Sequence, residues 1–600
     1  MMLNSLVIKK RIKSVQSFLI EKGLDGFIQP RSDSFLGEYV PKFDARLEWV
    51  SGFTGSAGVL LILYDKAVLF IDSRYTIQAI KETKNTNITV ILSSKQSFEN
   101  YILTKRKQYK NIGYDPWLHS YSQIKNILKL EKRNNIQYVS LKHNPIDTLW
   151  NENRSKKPNS EIKIHPLKYS GISLTNKIKK LCIYLKKFKS SAYIINQPDA
   201  LAWLLNIRGM DLEHTPIILS RALIFSNGNI SLFIDSSRIE RNILRHFSKG
   251  IKIFPENQII DEIIKISKNK SKILVSPNST SYALVQKIKN KKDNLIEVEC
   301  PIDRMKAIKN KTEIKGAISA HEKDGIALAK FLYWIHKKNN IKNSELLASN
   351  KIDSLREKQD NFICTSFETI SGFGSNGAIV HYRVTDKSNK KFVNGNLFLC
   401  DSGAQYLEGT TDVTRTIAIG KPTADMKRNF TIVLKGHISL ANSIFPYGTT
   451  GNDLDILARM PLWKNNINYG HGTGHGVGSC LSVHEGPHRI SKGSFTILEP
   501  GMITSNEPGF YLTNKYGIRI ENLMLVKTIK NNNNLKMLTF ETLTLAPIDF
   551  NLINYNLLTK EEISWINKYH SKVFQKLSSK LENKKRDWLK KVCKPYKIRN

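Results

Sequence analysis

The segment Phe70-Ile71-Asp72-Ser73-Arg74 returns as Phe233-Ile234-Asp235-Ser236-Ser237-Arg238. In each copy it closes an apolar run that follows a turn. The first copy has runs at 59–63 and 67–71 around Tyr64-Asp65-Lys66, and the second follows the hairpin signal Asn227-Gly228-Asn229. A recurring supersecondary unit of this length implies a duplicated α/β domain. The polar, charged stretch 151–163 between the copies has the composition of a linker. A third region opens after Pro301, where Thr312 can cap a long helix carrying Ile314, Ile318, Leu328, Phe331 or Leu332, and Ile335 on its apolar positions. A further helix is signalled at Thr423, and apolar runs ending in acids, such as LFLCD at 397–401, read as strands. The remainder of the 600-residue chain is thus one larger α/β domain.

The 92 Lys and Arg outweigh the 52 Asp and Glu by +40, a balance that raises the question of a nucleic-acid or anionic-membrane partner. The basic residues are spread over the whole chain, with neither a finger spacing nor an aromatic-interleaved basic motif, so no specific nucleic-acid site is expected. The densest basic run, 571–600, is interrupted by Phe574, Leu577, Leu581, Trp588 and Leu589, which reads as a solvated amphipathic helix. The six cysteines are dispersed without a C-x-x-C pair, and Lys9, Lys10 and Arg11 break the apolar start before signal-peptide length. No window reaches the apolar length of a membrane span. A cytoplasmic protein with no membrane partner is the expectation.

Chemistry concentrates in the last region. Asp401 ends a buried-looking strand, and Asp412 sits in GTTDVTRT, whose alternation also reads as a strand. About a hundred residues on come Glu507 in TSNEPGFY and Glu521 in GIRIEN, with His471 and His475 of HGTGHGVG between the pairs. Taken singly, a strand-end Asp is a common turn former, and the glycines of HGTGHG read equally well as turn residues. Together, four carboxylates converging in a cavity repel one another unless cations compensate them. Two divalent ions balance the four negative charges, and one imidazole completes an oxygen-rich set suited to Mn²⁺, Zn²⁺ or Co²⁺. Two such ions can hold a hydroxide at neutral pH for attack on a carbonyl, so hydrolysis is the expected chemistry. Arg519, two residues before Glu521, should project to the same strand face and pin a carboxylate ligand.

The ordered blocks DSGAQYLEGTTDVTRT (401–416), HGTGHGVG (471–478), VHEGP (483–487), NEPGFY (506–511) and GIRIEN (517–522) resemble the pita-bread metallopeptidases, specifically the Xaa-Pro aminopeptidases. The resemblance extends to EYVPKFDARLEWVSGFTGSAG (38–58), FIDSRYTIQA (70–79) and PDALAWLLNIRG (198–209), which match the front domains of the long, three-domain form. It implies two creatinase/prolidase-like α/β domains at 1–155 and 165–305, followed by a pita-bread catalytic domain at 306–600. It further implies that Asp401 binds one metal ion, that Asp412 and Glu521 bridge two, and that His475 and Glu507 hold the second. The family's substrate histidines fall on His381, His471 and His484, Tyr511 matches a pocket aromatic, and Glu507 is a candidate proton shuttle. The implied activity is release of the N-terminal residue from peptides with proline second, by a homodimer.

An Xaa-Pro bond has no amide N–H and a fixed φ, so it calls for a compact apolar and imidazole-lined slot. A prolidase shares the ligand set but has one front domain, whereas two FID units are present here. A metal-free pita-bread binding scaffold would have lost its ligands, which are complete in this chain.

Overall fold

The computed structural model describes residues 5–247, 249–268, 271–337, 343–529 and 535–597. These divide into two compact units. The first comprises Met1–Ile164, Ser173–Leu212 and Ile217–Ile302, and the second His165–Ile172, Glu213–Pro216 and Asp303–Asn600.

The duplication expected from the repeated segment is present in the first unit. Val59–Leu63 and Ala67–Ile71 form the antiparallel hairpin, and Arg221–Phe225 with Ile230–Phe233 form its counterpart. Each hairpin belongs to a six-stranded sheet. In both sheets the first strand of the copy lies antiparallel to the hairpin on one side and parallel to two later strands on the other. The repeated Asp has the same local task twice: Asp72 accepts from the Arg74 N–H and Asp235 from the Ser237 N–H, each starting a short 3-10 turn after its strand. Apolar runs such as VLLIL and AVLFI are buried on both faces, which is why they do not alternate.

The second unit is built on a long helix, Lys311–Ile335. Its cap is Asn310, not Thr312. Asn310 accepts from the Thr312 and Glu313 N–H groups while Glu313 reaches back to the Asn310 N–H, a reciprocal pairing that a cap at Thr312 could not make. Thr423 caps Ala424–Ala441 as expected. Two of the sheets in this unit bear on the site: a three-stranded one of Ile370–Phe373, Asn396–Ser402 and Val413–Ile419, and a six-stranded one that includes Gly474–Gly476, Ile503–Asn506 and Asn522–Thr528. The basic tail forms helices Lys560–Leu577 and Asn583–Val592, whose Ile566, Val573, Leu577 and Leu589 enter the core. The expected amphipathic run therefore holds within the described residues, and its last three positions lie outside them.

Beneath these helices His336 Nε2 lies 3.8 Å from Asp549 Oδ2, and Trp588 packs on the His336 ring. Burial alone would lower the His336 pKa, but the Asp549 carboxylate outweighs it and raises it above 6.5. A histidine held this way stabilises the fold fully below 6.5, and that contribution is lost as pH rises through its raised folded value. Thermal melts of wild type and His336→Asn should therefore differ most below pH 6.5 and converge as pH rises; a gap that does not change with pH would remove the charge from this account.

Candidate metal centre

Five candidate ligands come together from two sheets of the second unit. Asp401 lies in Asn396–Ser402, register partner of Thr414 in the neighbouring strand. Asp412 stands immediately before Val413–Ile419 and not within a strand. From the six-stranded sheet come His475 in Gly474–Gly476, Glu507 directly after Ile503–Asn506, and Glu521 directly before Asn522–Thr528. Their donor atoms form overlapping sets, Asp401–Asp412–Glu521 and His475–Glu507–Glu521, in each of which all atoms lie within 4.8 Å of one another.

The local sequence explains how this is possible. A side chain at Gly474 would meet the Ser505 carbonyl at 2.0 Å, and one at Gly476 the Glu485 carbonyl at 2.1 Å. These glycines let three backbones close around His475 and are not turn residues. The His475 N–H donates to Ser505 Oγ, and its Nδ1 faces the Gly476 carbonyl at 2.9 Å. A carbonyl only accepts, so Nδ1 carries a proton. Nε2 is left facing Asp412 Oδ2 at 3.5 Å and Glu507 Oε1 at 3.4 Å.

The electrostatics are those of a site crowded with like charge. Burial lifts the Asp401 carboxyl to about 6, with Asp412 adding to it and Arg519 opposing. Burial, then the Asp412 and Glu507 charges, raise Glu521 well above the carboxylate range. Burial would also raise Glu507, but the His475 charge and then Arg519 oppose it, and it is held low. Asp401 Oδ1 and Asp412 Oδ1 are buried without a hydrogen-bond partner among the described residues. Orphaned carboxylate oxygens are expensive unless something positive occupies the space between them. Hard oxygen donors joined by one imidazole nitrogen therefore fit divalent cations.

Arg519 does pin a carboxylate, but its target lies across the strands. It ends Tyr516–Arg519, outside the strand that follows Glu521, and its Nη2 donates to Asp401 Oδ2 at 2.6 Å. Its Nη1 donates to the Tyr511 hydroxyl at 2.7 Å, and that hydroxyl lies 2.8 Å from His471 Nε2. His471 Nδ1 faces the Gly472 carbonyl at 2.8 Å, so Nδ1 carries the proton and Nε2 accepts from Tyr511. Burial lowers the ring to about 4 and keeps it neutral. His484 packs edge-on to His475 at 4.3 Å between centroids, with a ring nitrogen within 4.8 Å of the Asp412 and His475 donors. His381 follows the 3-10 turn Gly374–Ala378 in a half-buried loop.

Three supporting groups escape the sequence reading. Thr414 Oγ1 donates to Glu521 Oε2 at 2.7 Å, and Ser505 Oγ donates to Glu507 Oε1 at 3.1 Å. Thr414 and Asp412 are two apart at the head of one strand, a spacing that could have flagged the threonine. Arg459 Nη2 donates to the His471 carbonyl at 2.7 Å while Nε holds Asp455 at 2.7 Å. An i,i+4 Asp–Arg pair reads locally as an ordinary helix surface pair, so nothing nearby announces this contact.

Comparison with known proteins agrees with this arrangement. Residues 316–528 match metallopeptidase family M24 and 536–596 the C-terminal region of that peptidase family. Residues 11–146 and 153–313 each match the creatinase/prolidase N-terminal domain. A probable Xaa-Pro aminopeptidase P of Laccaria bicolor is 37% identical, covering 98% of this chain and 93% of the relative. The chain belongs to the Xaa-Pro aminopeptidases of family M24. An X-prolyl aminopeptidase of Caenorhabditis elegans, described as a cytosolic enzyme with a di-nuclear active site, superposes with TM-score 0.94 at 31% identity over 99% of this chain and 100% of that one. A prolidase from Thermococcus sibiricus reaches TM-score 0.51 at 25% identity, covering 63% of this chain and 98% of its own. The family fold, two creatinase-type domains before a pita-bread catalytic domain, accounts for both the duplicated sheets and the ligand-bearing pair of sheets.

Proposed function

We propose that this chain is a metal-dependent aminopeptidase that releases the N-terminal residue from oligopeptides whose second residue is proline. The observation that carries the reading is the convergence of Asp401, Asp412, His475, Glu507 and Glu521, within a chain that is similar along nearly its whole length to Xaa-Pro aminopeptidases. In this reading Asp401, Asp412 and Glu521 hold one divalent ion, and Asp412, Glu521, His475 and Glu507 hold a second. Bound there, the pair supplies Lewis acidity and lowers the pKa of water. The oxygen-rich donor set favours Mn²⁺, with Zn²⁺ and Co²⁺ as alternatives.

The chain's own groups do the rest. His381 and His484 donate hydrogen bonds to the scissile carbonyl as charge develops on it. Glu507, on the rim of the ligand set, moves a proton toward the leaving proline nitrogen. His471 orients the Tyr511 hydroxyl against Arg519, and these three line the slot for the proline ring. The two front domains support the aminopeptidase reading over a prolidase, whose solved example from Thermococcus covers only 63% of this chain. We place the domain limits at 1–155, 165–305 and 306–600. We also propose a cytosolic homodimer. Among the described residues no helix is long and apolar enough to cross a membrane. The exposed Ile456, Met460 and Trp463, at i, i+4 and i+7 of helix Gly451–Trp463, offer an apolar stripe for a second copy.

A peptide panel tests the assignment. Ala-Pro-Ala and Arg-Pro-Pro should be cleaved after the first residue, Ala-Pro more slowly, and Ala-Ala-Ala hardly at all. Cleavage of Ala-Pro alone would make the protein a prolidase, and equal cleavage of Ala-Ala-Ala would remove the proline slot.

A further inference from the structure

Glu345 is the first residue of helix Glu345–Arg356 and is fully buried. By local pattern it is an ordinary first-turn acid facing the helix dipole. Its surroundings give it a different task, because its carboxylate gathers the ends and the middle of one loop. Oε1 accepts from the Phe373 N–H at 2.6 Å and from Asn376 Nδ2 at 2.9 Å. Oε2 accepts from Asn376 Nδ2 at 3.0 Å, from the Tyr382 hydroxyl at 3.0 Å and from the Lys390 N–H at 2.8 Å. The backbone joins in: Ser371 Oγ donates to the Glu345 carbonyl at 2.6 Å, and the Glu345 N–H donates to the Lys390 carbonyl at 3.0 Å.

That loop carries His381. On one side of the histidine, Tyr382 is tied to Glu345 and its ring packs with Ile370 and Leu399. On the other side, the Val380 carbonyl is reached by Arg519 Nη2 at 3.5 Å, the same nitrogen that holds Asp401. The residue is thus bracketed by two anchors, one of them a carboxylate that collects donors from residues 373, 376, 382 and 390. Charge-assisted bonds to a buried carboxylate are about twice as strong as neutral ones and fix direction as well as distance.

We infer that Glu345, acting through Tyr382 and the 373–390 loop, is a positioning residue that sets the placement of His381 against the substrate carbonyl. The inference rests on the proposed role of His381. A histidine donor displaced by ~1 Å loses about 10²-fold in rate. Glu345→Gln keeps the shape but presents an N–H₂ where the loop offers donors, so two donors face each other and the loop shifts.

The experiment is a double-mutant cycle on the metal-loaded full chain with Ala-Pro-Ala, reading kcat, KM, bound metal and Tm for Glu345→Gln, His381→Ala and the double variant. The expected result is a fall of about 10–100-fold in kcat/KM for Glu345→Gln, carried mainly by kcat, with metal content unchanged. That loss should vanish in the His381→Ala background, since a misplaced histidine and an absent one are equivalent. A merely structural role would lower Tm and leave kcat/KM of the folded enzyme unchanged, and this outcome overturns the inference. So does a loss of equal size in both backgrounds. If His381→Ala itself turns over normally, the proposed role of His381 fails and the inference falls with it. Tyr382→Phe, which deletes only the hydroxyl, serves where Glu345→Gln does not fold and should give a smaller loss with the same dependence on His381.

Discussion

Replacing Asp412 by Asn or Glu521 by Gln is expected to abolish turnover and empty the metal centre. Each residue belongs to two of the three donor sets in the site, so a neutral amide at either position weakens both binding places at once. Loss of partners one shell further out already costs about 10–100-fold in metal affinity or activity, and removal of a direct bridging charge should exceed about 10²-fold in kcat/KM. The fold itself should survive. Burial and the neighbouring carboxylates raise Glu521, so Glu521→Gln removes a charge that its metal-free surroundings oppose. Metal-free wild type and Glu521→Gln should then melt at similar temperatures, while only the wild type gains stability on adding Mn²⁺. Elemental analysis with steady-state kinetics checks both halves, and full turnover by either variant after exhaustive chelation would sink the two-metal reading.

His381→Ala and His484→Ala form the second large expected effect, about 10²–10³-fold in kcat/KM each, the range for deleting one donor to a developing oxyanion. Metal content should stay near that of the wild type for His381→Ala. The His484 ring lies close enough to Asp412 and His475 to compete for a cation, so its variant is the sharper test. Retained metal with lowered kcat keeps it as a substrate group, and lost metal moves it into the ligand shell.

Much of this was legible before any coordinates, for physical reasons that differ by element. The duplicated hairpins were visible because buried strands and their turns leave dense apolar runs punctuated by Asp and Gly. The candidate ligand positions were visible because several carboxylates and an imidazole in ordered motifs have few other uses. What escaped is partnership across sequence. Glu345 meets Lys390, Arg519 meets Asp401 and Arg459 meets the His471 carbonyl, and no local periodicity encodes which distant donor a buried acid will find. The Asn310 cap is a different failure: Asn310-x-x-Glu313 is a complete capping-box signature, and Thr312 drew the reading away because it too is a cap former.

The division of the five candidate ligands between two sheets has a mechanical consequence. Asp401 lies in the three-stranded sheet and Asp412 at its edge, while His475 lies in the six-stranded one with Glu507 and Glu521 at strand ends beside it. Side chains already stitch the seam, Thr414 to Glu521 and Arg415 to the Glu521 carbonyl. Cations seated there would act as rivets through that seam, reinforcing the donation of the Glu521 N–H to the Thr414 carbonyl at 3.2 Å. Withdrawal of the rivets would leave each ladder internally intact and concentrate the slack between the candidate ligands. The proposed chemistry and the stiffness of the site would therefore be set by the same few atoms, and neither could be tuned without the other.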